Sequence, residues 1–411
     1  MPRSATLNRR RFLHTGAAIA AAPSVIRAAG ANERVNVGVI GCGNQGSQHV
    51  RVLTELRDEG LVNIVGVCEL YAKRLKAAAE RSGATPYTDY RDLLAQQELD
   101  AVCIAVPDHS HAPITIAAAQ AGKDVYCEKP MTYWKHLDEA KNVVAAIRDH
   151  KRVMQVGTNG LSDTKYDAAR QRVRTGVLGK HIHAQASDVR NGPISLYSPK
   201  TYDPDAVPGK SLDWEAWLGN AEKRAYEPGR FFAFRSYWEY SGGVATDFFP
   251  HLLTPLIYVM DLKFPQRVAA TGGRYFWDDG REIPDTFTLS IEYPDGPSLT
   301  LLAGLANNTN WDMLIRGQQA TLTFGGIGAY IDAQTAAGNK NPREVVRRKE
   351  GGSVKNHWKD FINCIKTRDK PRSNELLGYY VMTALHMGVR SYREGKVFAF
   401  DEKTETVTAA G

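Results

Sequence analysis

The chain has 411 residues, 43% of them hydrophobic and 24% charged, which excludes disordered, collagen-like and coiled-coil classes and leaves room for two or three compact units. It contains no run of about 18 apolar residues, so no membrane-spanning helix is expected, and five scattered cysteines are too few for a disulfide framework. The first 29 residues hold five arginines and no acid, leaving only +2 of the net +7 for the rest, which gives no basis for binding nucleic acid or an anionic membrane.

Residues 1–31 read as an export leader. Asn8-Arg9-Arg10-Arg11-Phe12-Leu13 resembles a twin-arginine signal, a short apolar core follows over Thr15–Ala22, and Ala29-Gly30-Ala31 offers an A-x-A cleavage site before Asn32. The competing reading is a basic N-terminus on a cytoplasmic protein; the order and spacing of the three features favour the leader. The mature chain is then expected to begin near Asn32, to be exported already folded, and to work in the bacterial periplasm.

After the leader, Val35–Ile40 reads as a buried strand, Gly41-Cys42-Gly43-Asn44-Gln45-Gly46 as a turn, and Ser47–Leu56 as a helix with Val50, Leu53 and Leu56 at helical spacing. This is G-x-G-x-x-G in the strand–turn–helix setting of a dinucleotide site. Gly41 allows the tight turn, Gly43 lets the backbone approach a pyrophosphate, Gly46 lets helix and strand pack closely, and the helix start offers unpaired N–H groups. The glycines alone would also fit a plain turn. A second strand, Val62–Cys68, ends at Glu69, 23 residues after Gly46, where such folds place the acid that binds the adenosine ribose hydroxyls. A carboxylate there repels a 2′-phosphate and favours NAD over NADP, a preference that Arg74 blurs.

Asp100–Pro107 follows as an apolar strand, Asp108-His109-Ser110-His111 as a loop, and Pro113–Ala121 as a helix ended by Gly122. Asp124–Cys127 then leads into Glu128-Lys129-Pro130. Alternating strands and helices of this kind build a parallel sheet with ligands at the carboxyl ends of its strands. The aspartate and two histidines of the loop match no metal-ligand spacing, so no metal is assigned and the loop is placed beside the nicotinamide.

In these residues, above all Glu128-Lys129-Pro130, the chain resembles the Gfo/Idh/MocA oxidoreductases. The resemblance continues through Val173–Lys180, Gly242-Gly243…Asp247…His251 and a helix at Ser373–Glu394, capped by Ser373 or Asn374 and ended by Gly395. It implies an α/β fold in two parts. Residues 32–156 would form an N-terminal Rossmann domain with a doubly wound parallel sheet. Residues 157–411 would form a C-terminal α/β domain with a large, mostly antiparallel open sheet, its 373–395 helix returning to the Rossmann domain. Strand-like runs at 180–189, 265–276, 284–293, 297–304, 311–316 and 319–325 point the same way.

The resemblance also implies the site. NAD is the expected cofactor, with NADP as the alternative, and its expected contacts are Gly41, Gly43, Asn44, Gln45, Gly46, Glu69, Arg74, Pro107, His111, Glu128, Lys129 and Asn159. Lys129 would face the nicotinamide and donate to the substrate oxygen whose charge changes during hydride transfer. Glu128 would orient that lysine or touch the nicotinamide ribose, and a cis Lys129–Pro130 bond fits the turn. Asp247 and His251, four apart, share one face of a helix. His251 would be the general acid/base and Asp247 the orienting carboxylate; a capping aspartate with a satisfied core histidine is the other reading. Pro250 and Pro255 are expected to delay or kink that helix. Thr254 and Leu161 stand where many relatives carry aspartate and arginine, so the substrate's shape is not inherited.

Eleven aromatics between 190 and 240 fit a sugar-stacking cleft, a subunit arm or the packing of a long insertion. Arg230 and Arg235 could bind an acidic group, but solvated loop charges are the favoured reading, and His181 and His183 read as the polar face of a strand. Three function classes follow. The first is an oxidoreductase moving hydride between NAD(P) and a hydroxyl or ketone carbon of a sugar, polyol or glycoside, its cofactor tightly held because a periplasmic enzyme finds no free nucleotide. The second is a glycosidase or epimerase that oxidises its substrate transiently with no net redox change. The third is a non-catalytic sugar- or nucleotide-binding protein. The expected partners are a carbohydrate and further copies of the chain, as a dimer or tetramer, without nucleic acid or membrane insertion.

Overall fold

A computed structural model describes residues 34–192, 194–335 and 343–410, so the leader expected over residues 1–31 lies outside the described residues. The first domain contains β1 (Val35–Ile40), α1 (Asn44–Asp58), β2 (Val62–Cys68), α2 (Ala72–Ser82), β3 (Thr85–Tyr87), α3 (Tyr90–Leu94), β4 (Ala101–Ile104), α4 (His111–Gln120), β5 (Asp124–Cys127), α5 (Leu137–Asp149) and β6 (Met154–Val156). Its strands pair in parallel in the order β3-β2-β1-β4-β5-β6. The strands are continuous apolar runs because helices cover both faces of the sheet: Val37, Val39, Val102, Ile104, Val125 and Cys127 are fully buried. The winding direction reverses between β1 and β4, and the crevice outside the strand ends at that point is where such sheets bind ligands. Two helices start earlier than their sequence pattern predicts, α1 at Asn44 and α4 at His111. Pro113 is tolerated in α4 because its missing N–H falls among the first-turn amides that have no intrahelical partner.

The second domain follows with α6 (Thr164–Arg174), β7 (His181–Val189), α7 (Trp214–Leu218), α8 (Pro228–Phe232), α9 (Val244–Met260), β8 (Arg267–Gly273), β9 (Thr286–Glu292), β10 (Ser298–Gly304), β11 (Leu314–Gly317), β12 (Ala320–Gly325), β13 (Gly328–Ala333), β14 (Glu344–Arg347), α10 (Val354–Thr367), α11 (Glu375–Glu394), β15 (Phe398–Asp401) and β16 (Thr406–Ala409). Ten strands form one sheet, in the order β14-β13-β12-β11-β7-β10-β9-β8-β15-β16. Only the β7–β10 pairing in it is parallel. Period-two alternation sets its buried face: Phe287, Leu289 and Ile291 of β9 and Leu299, Leu301 and Ala303 of β10 are fully buried beneath α9 and α11.

Pro250 and Pro255 neither delay nor break α9, contrary to the sequence expectation: the helix runs unbroken from Val244. Tertiary burial overrides the local cost, since every residue of α9 except Asp247, His251 and Tyr258 is buried. Two C-terminal helices bind the domains together. Trp358 of α10 stacks on Tyr126 of β5 at 4.5 Å with ring planes 8° apart. α11 lies between α5 and α9, and the Trp134 carbonyl lies 2.8 Å from His386 Nδ1.

Candidate active site

A cleft of about 910 Å³ opens at the carboxyl ends of the parallel strands, between the two domains. Gly41, Gly43, Asn44, Gln45, Glu69, Arg74, Pro107, His111, Glu128, Lys129, Asn159, Asp247 and His251 all line it. Gly46 lies beneath the loop: a Cβ there would run into the Gly41 carbonyl, so its role is the close packing of α1 on β1. Gly41 has φ +87°, whereas a Cβ on Gly43 would meet only the Arg74 guanidinium, at 3.4 Å. Gly43 occupies the N-cap position of α1 and no side chain caps that helix, so its first-turn amides remain available to an anion. These residues fit a dinucleotide. Glu69 is pinned by three backbone amides: Cys42 N donates to Oε2 at 2.8 Å, and Leu70 N and Tyr71 N donate to Oε1 at 2.8 and 3.1 Å. Arg74 lies over the rings of Tyr71, Phe231 and Phe232 at 5.7, 5.0 and 5.2 Å.

Glu128, at the end of β5, is held by a relay that the motif does not reveal. Gln45 Nε2 and His49 Nε2 lie 3.0 and 2.8 Å from its Oε1, and the Trp358 indole N–H donates to His49 Nδ1 at 2.9 Å. Because the indole can only donate, Nδ1 of His49 is the acceptor and Nε2–H points at the carboxylate. Burial acts to raise the Glu128 pKa, but the His49 hydrogen bond and the Lys129 charge outweigh it and bring the carboxyl down to about 2. Gly157 is required alongside, since a Cβ would sit 2.7 Å from the Glu128 carboxyl carbon.

His111 lines the cleft and also joins two of its turns. Its Nδ1 is 2.6 Å from the Pro130 carbonyl and its Nε2 is 2.8 Å from the Val106 carbonyl. Both partners are acceptors, so the ring donates from both nitrogens as an imidazolium and ties together the turns after β4 and β5. Burial opposes that charge, but Cys127, Asp108 and the Pro130 carbonyl prevail and push the pKa up to about 9. Asp108 is itself buried and accepts from Ser241 and Thr246 at 2.7 and 3.2 Å, which fastens this loop to the start of α9.

Across the cleft, Lys129 meets Asp247. Its ammonium donates to the Asp247 carbonyl at 2.9 Å and to the carboxylate Oδ1. The Lys129–Pro130 bond is cis. Tyr197 donates to Asp247 Oδ2 at 2.7 Å, and Arg235 Nε lies 3.3 Å from Oδ1. Burial alone would raise the Asp247 pKa; the charges of Lys129 and Arg235 hold it well below the usual carboxylate range. His251, one helical turn on, faces the same cleft, and burial together with the Lys129 charge brings its pKa down to about 4. It is therefore a neutral imidazole at neutral pH, able to accept a proton.

Two sequence readings are corrected here. Arg235 is engaged with Asp247 rather than solvated, and Arg230 is buried with Glu227, Glu239 and Glu282 around it. Leu161 and Thr254 are core residues away from the cleft. Tyr197, Arg235, His49 and Trp358 were not signalled by any motif. His49 alone had a usable local cue, its i,i+4 spacing from Gln45 on the helix that follows the glycine loop. Among the described residues, no cluster of three His, Cys, Asp or Glu side chains is placed to hold a metal ion, and no helix is long and apolar enough to cross a membrane.

Residues 35–158 match the family profile described as "Oxidoreductase family, NAD-binding Rossmann fold", and residues 162–410 match "Oxidoreductase family, C-terminal alpha/beta domain". Over 154 residues the chain is 36% identical to an inositol 2-dehydrogenase of Rubrobacter xylanophilus, a match covering 37% of this chain and 43% of that protein. Over 202 residues it is 31% identical to an inositol 2-dehydrogenase/D-chiro-inositol 3-dehydrogenase of Lactiplantibacillus plantarum, covering 47% and 55% of the two chains. The chain thus spans about half the length of the curated relatives it matches. The fold is shared with the WlbA dehydrogenase of Bordetella pertussis, solved in complex with NADH and UDP-GlcNAcA, at TM-score 0.67 and 20% identity over 90% of this chain and 99% of that one. It is also shared with a levoglucosan dehydrogenase solved with NADH and levoglucosan, at TM-score 0.67 and 19% identity over 89% and 98%. Profiles of one family cover both domains of a chain whose glycine loop, β5-end lysine and α9 aspartate and histidine line one cleft, and the chain belongs to the Gfo/Idh/MocA oxidoreductase family.

Proposed function

We propose that this protein transfers hydride between NAD and a hydroxyl or ketone carbon of a sugar, polyol or glycoside. The observation that carries the reading is the Lys129–Asp247 pair beside a neutral His251 in the cleft that the glycine loop enters. NAD bound there supplies the hydride acceptor. Lys129, fixed by both the carbonyl and the carboxylate of Asp247, presents its remaining N–H to the substrate oxygen and stabilises the charge that develops on it. His251 takes the hydroxyl proton in oxidation and returns it in reduction. Asp247 holds the lysine in place and offsets its charge, while Tyr197 and Arg235 hold Asp247. The inositols in the names of the curated relatives, and the UDP-GlcNAcA and levoglucosan bound in the two solved structures, support the substrate class.

NAD is preferred to NADP in this reading. The Glu69 carboxylate is fixed by three amides at the position expected for the adenosine ribose and repels a 2′-phosphate. Export by the twin-arginine route adds that the cofactor is acquired during cytoplasmic folding and stays bound, so that each turnover must restore it. That requirement favours a two-substrate sugar oxidoreduction, and equally admits transient oxidation that leads to epimerisation or glycoside cleavage.

The test begins with mass spectrometry of small molecules released by acid from protein purified without added nucleotide, where near-stoichiometric NAD(H) is expected. Inositols, sugar pairs and glycosides are then screened without added cofactor. With an active substrate in hand, Lys129→Met should lower kcat by about 10²- to 10⁴-fold and leave the bound nucleotide in place. Full turnover in that variant would remove Lys129 from the chemistry.

A further inference from the structure

The segment between β7 and α9 lends Tyr197 and Arg235 to Asp247, but most of it lies outside the hydride-transfer reading and is anchored at several further points. Many of its rings pack against one another rather than standing free to stack on a sugar. Trp214 and Trp217 stack on each other at 4.7 Å, Tyr240 meets Trp217 at 4.8 Å, and both tryptophans, Phe231, Tyr237 and Tyr240 are buried in one small core with Tyr71 and Leu212.

That small core is tied to the carboxyl ends of three parallel strands. After β2, Ala72 N donates to the Ser211 carbonyl at 2.8 Å, Asp213 N donates to the Leu70 carbonyl at 3.1 Å, and Lys73 Nζ reaches Asp203 and Asp205 at 2.9 and 2.7 Å. After β4, the Trp217 carbonyl lies 3.0 Å from His109 Nε2. After β5, the Trp238 carbonyl accepts from Tyr133 and Trp134 at 2.5 and 3.0 Å. The sheet order is β2-β1-β4-β5, so a segment fastened at β2, β4 and β5 must pass over β1 and its glycine loop. Ala216, Trp217, Phe231 and Phe232 accordingly line the same cleft as Gly41, Gly43 and Glu69. Phe231 and Phe232 also place the Arg74 guanidinium beside Gly43, where an anion lying on the glycine loop would meet it.

We propose that this insertion is a clasp over the dinucleotide: it roofs the pyrophosphate end of the site, positions Arg74 for the phosphates, and sets how slowly the cofactor leaves. The proposal rests on the reading of the cleft as a nicotinamide dinucleotide site. The dinucleotide can then dissociate only when the roof lifts from the β2 end.

The test uses the full mature chain loaded with NADH, diluted into excess NAD, with release followed by the fluorescence of bound NADH. Phe232→Ala removes part of the shelf under Arg74 and should speed release by about tenfold or more. Lys73→Ala lies outside the cleft and breaks only an exposed anchor, so it should leave the melting temperature unchanged and still speed release severalfold. In the wild type, saturating NADH should also slow deuterium uptake across residues 211–217, a readout that needs no variant. Release at the wild-type rate in both variants, with no change in deuterium uptake, overturns the clasp and leaves the dinucleotide site standing. A wild-type chain that binds no NADH at millimolar concentration overturns both.

Discussion

Asp247 shows how the chemistry depends on charges set one against another. It faces Lys129, Arg235 and Tyr197 directly and acts through space on His251. The signs of these interactions give a pH prediction. An unperturbed histidine titrates near about 6.5, whereas burial and the Lys129 ammonium bring His251 down to about 4 and Asp247 pulls in the opposite sense. Oxidation needs the neutral ring, so for this group kcat/KM should fall only as pH drops through about 4 and stay level from there through neutrality. Lys129→Met removes a positive neighbour and should move the His251 midpoint up toward the ordinary value; Asp247→Asn removes a negative neighbour and should move it further down. An NMR titration of the His251 ring in the three proteins reads all of this, and a wild-type midpoint at the unperturbed value would contradict the assignment of His251 as a base poised by Lys129.

At the scale of elements, the C-terminal helix α10 governs a residue more than two hundred positions away in sequence. Trp358 and His49 are fully buried, so Trp358→Phe keeps most of the stacking on Tyr126 but leaves His49 Nδ1 without its donor. An unsatisfied buried polar group of this kind costs about 1–3 kcal/mol, which denaturant unfolding should report. The freed ring tautomer should also weaken the hold on Glu128, raise its pKa from about 2 and reduce affinity for NAD; unchanged unfolding and unchanged affinity together would show that the relay has no role. α10 is absent from the sequence expectations, although Ser353 as cap and Trp358, Phe361, Ile362 and Ile365 at helical spacing carry a local signal for it. Its docking on α1 is not legible, because no local signal names the partner of an amphipathic helix. The same division runs through the fold. The glycine loop, Glu69 and Lys129 are readable because short-range turn chemistry and strand ends place them. Tyr197 and Arg235 are not, because they sit among packing aromatics and reach Asp247 only once β7 and α9 have come together. The strands β13 to β16 are short and half-exposed, so their alternation is too brief to stand out.

Across the whole molecule, the cofactor site is assembled from both domains: β1, β2, β4 and β5 supply the floor, α9 the far wall, and the β7–α9 insertion the roof. A site of that kind exists only after the chain has folded completely, which bears on the proposed export leader. A route that carried an unfolded chain would deliver it to a compartment without a nucleotide pool, where the assembled cleft would stay empty. The twin-arginine reading avoids this by folding the chain around NAD before export. Changing Arg9-Arg10 to Lys-Lys should therefore leave a full-length, folded precursor in the cytoplasm with NAD(H) bound. The unaltered chain should appear in the periplasm, cut near Asn32 and carrying the same nucleotide in near-stoichiometric amount. Fractionation followed by intact-protein mass and acid-released nucleotide reads both arms. Periplasmic protein without nucleotide would separate export from retention and make the enzyme dependent on a cofactor that exchanges. Precursor that remains cytoplasmic and uncut in both forms would end the periplasmic assignment, and with it the requirement that every turnover regenerate NAD within the same closed site.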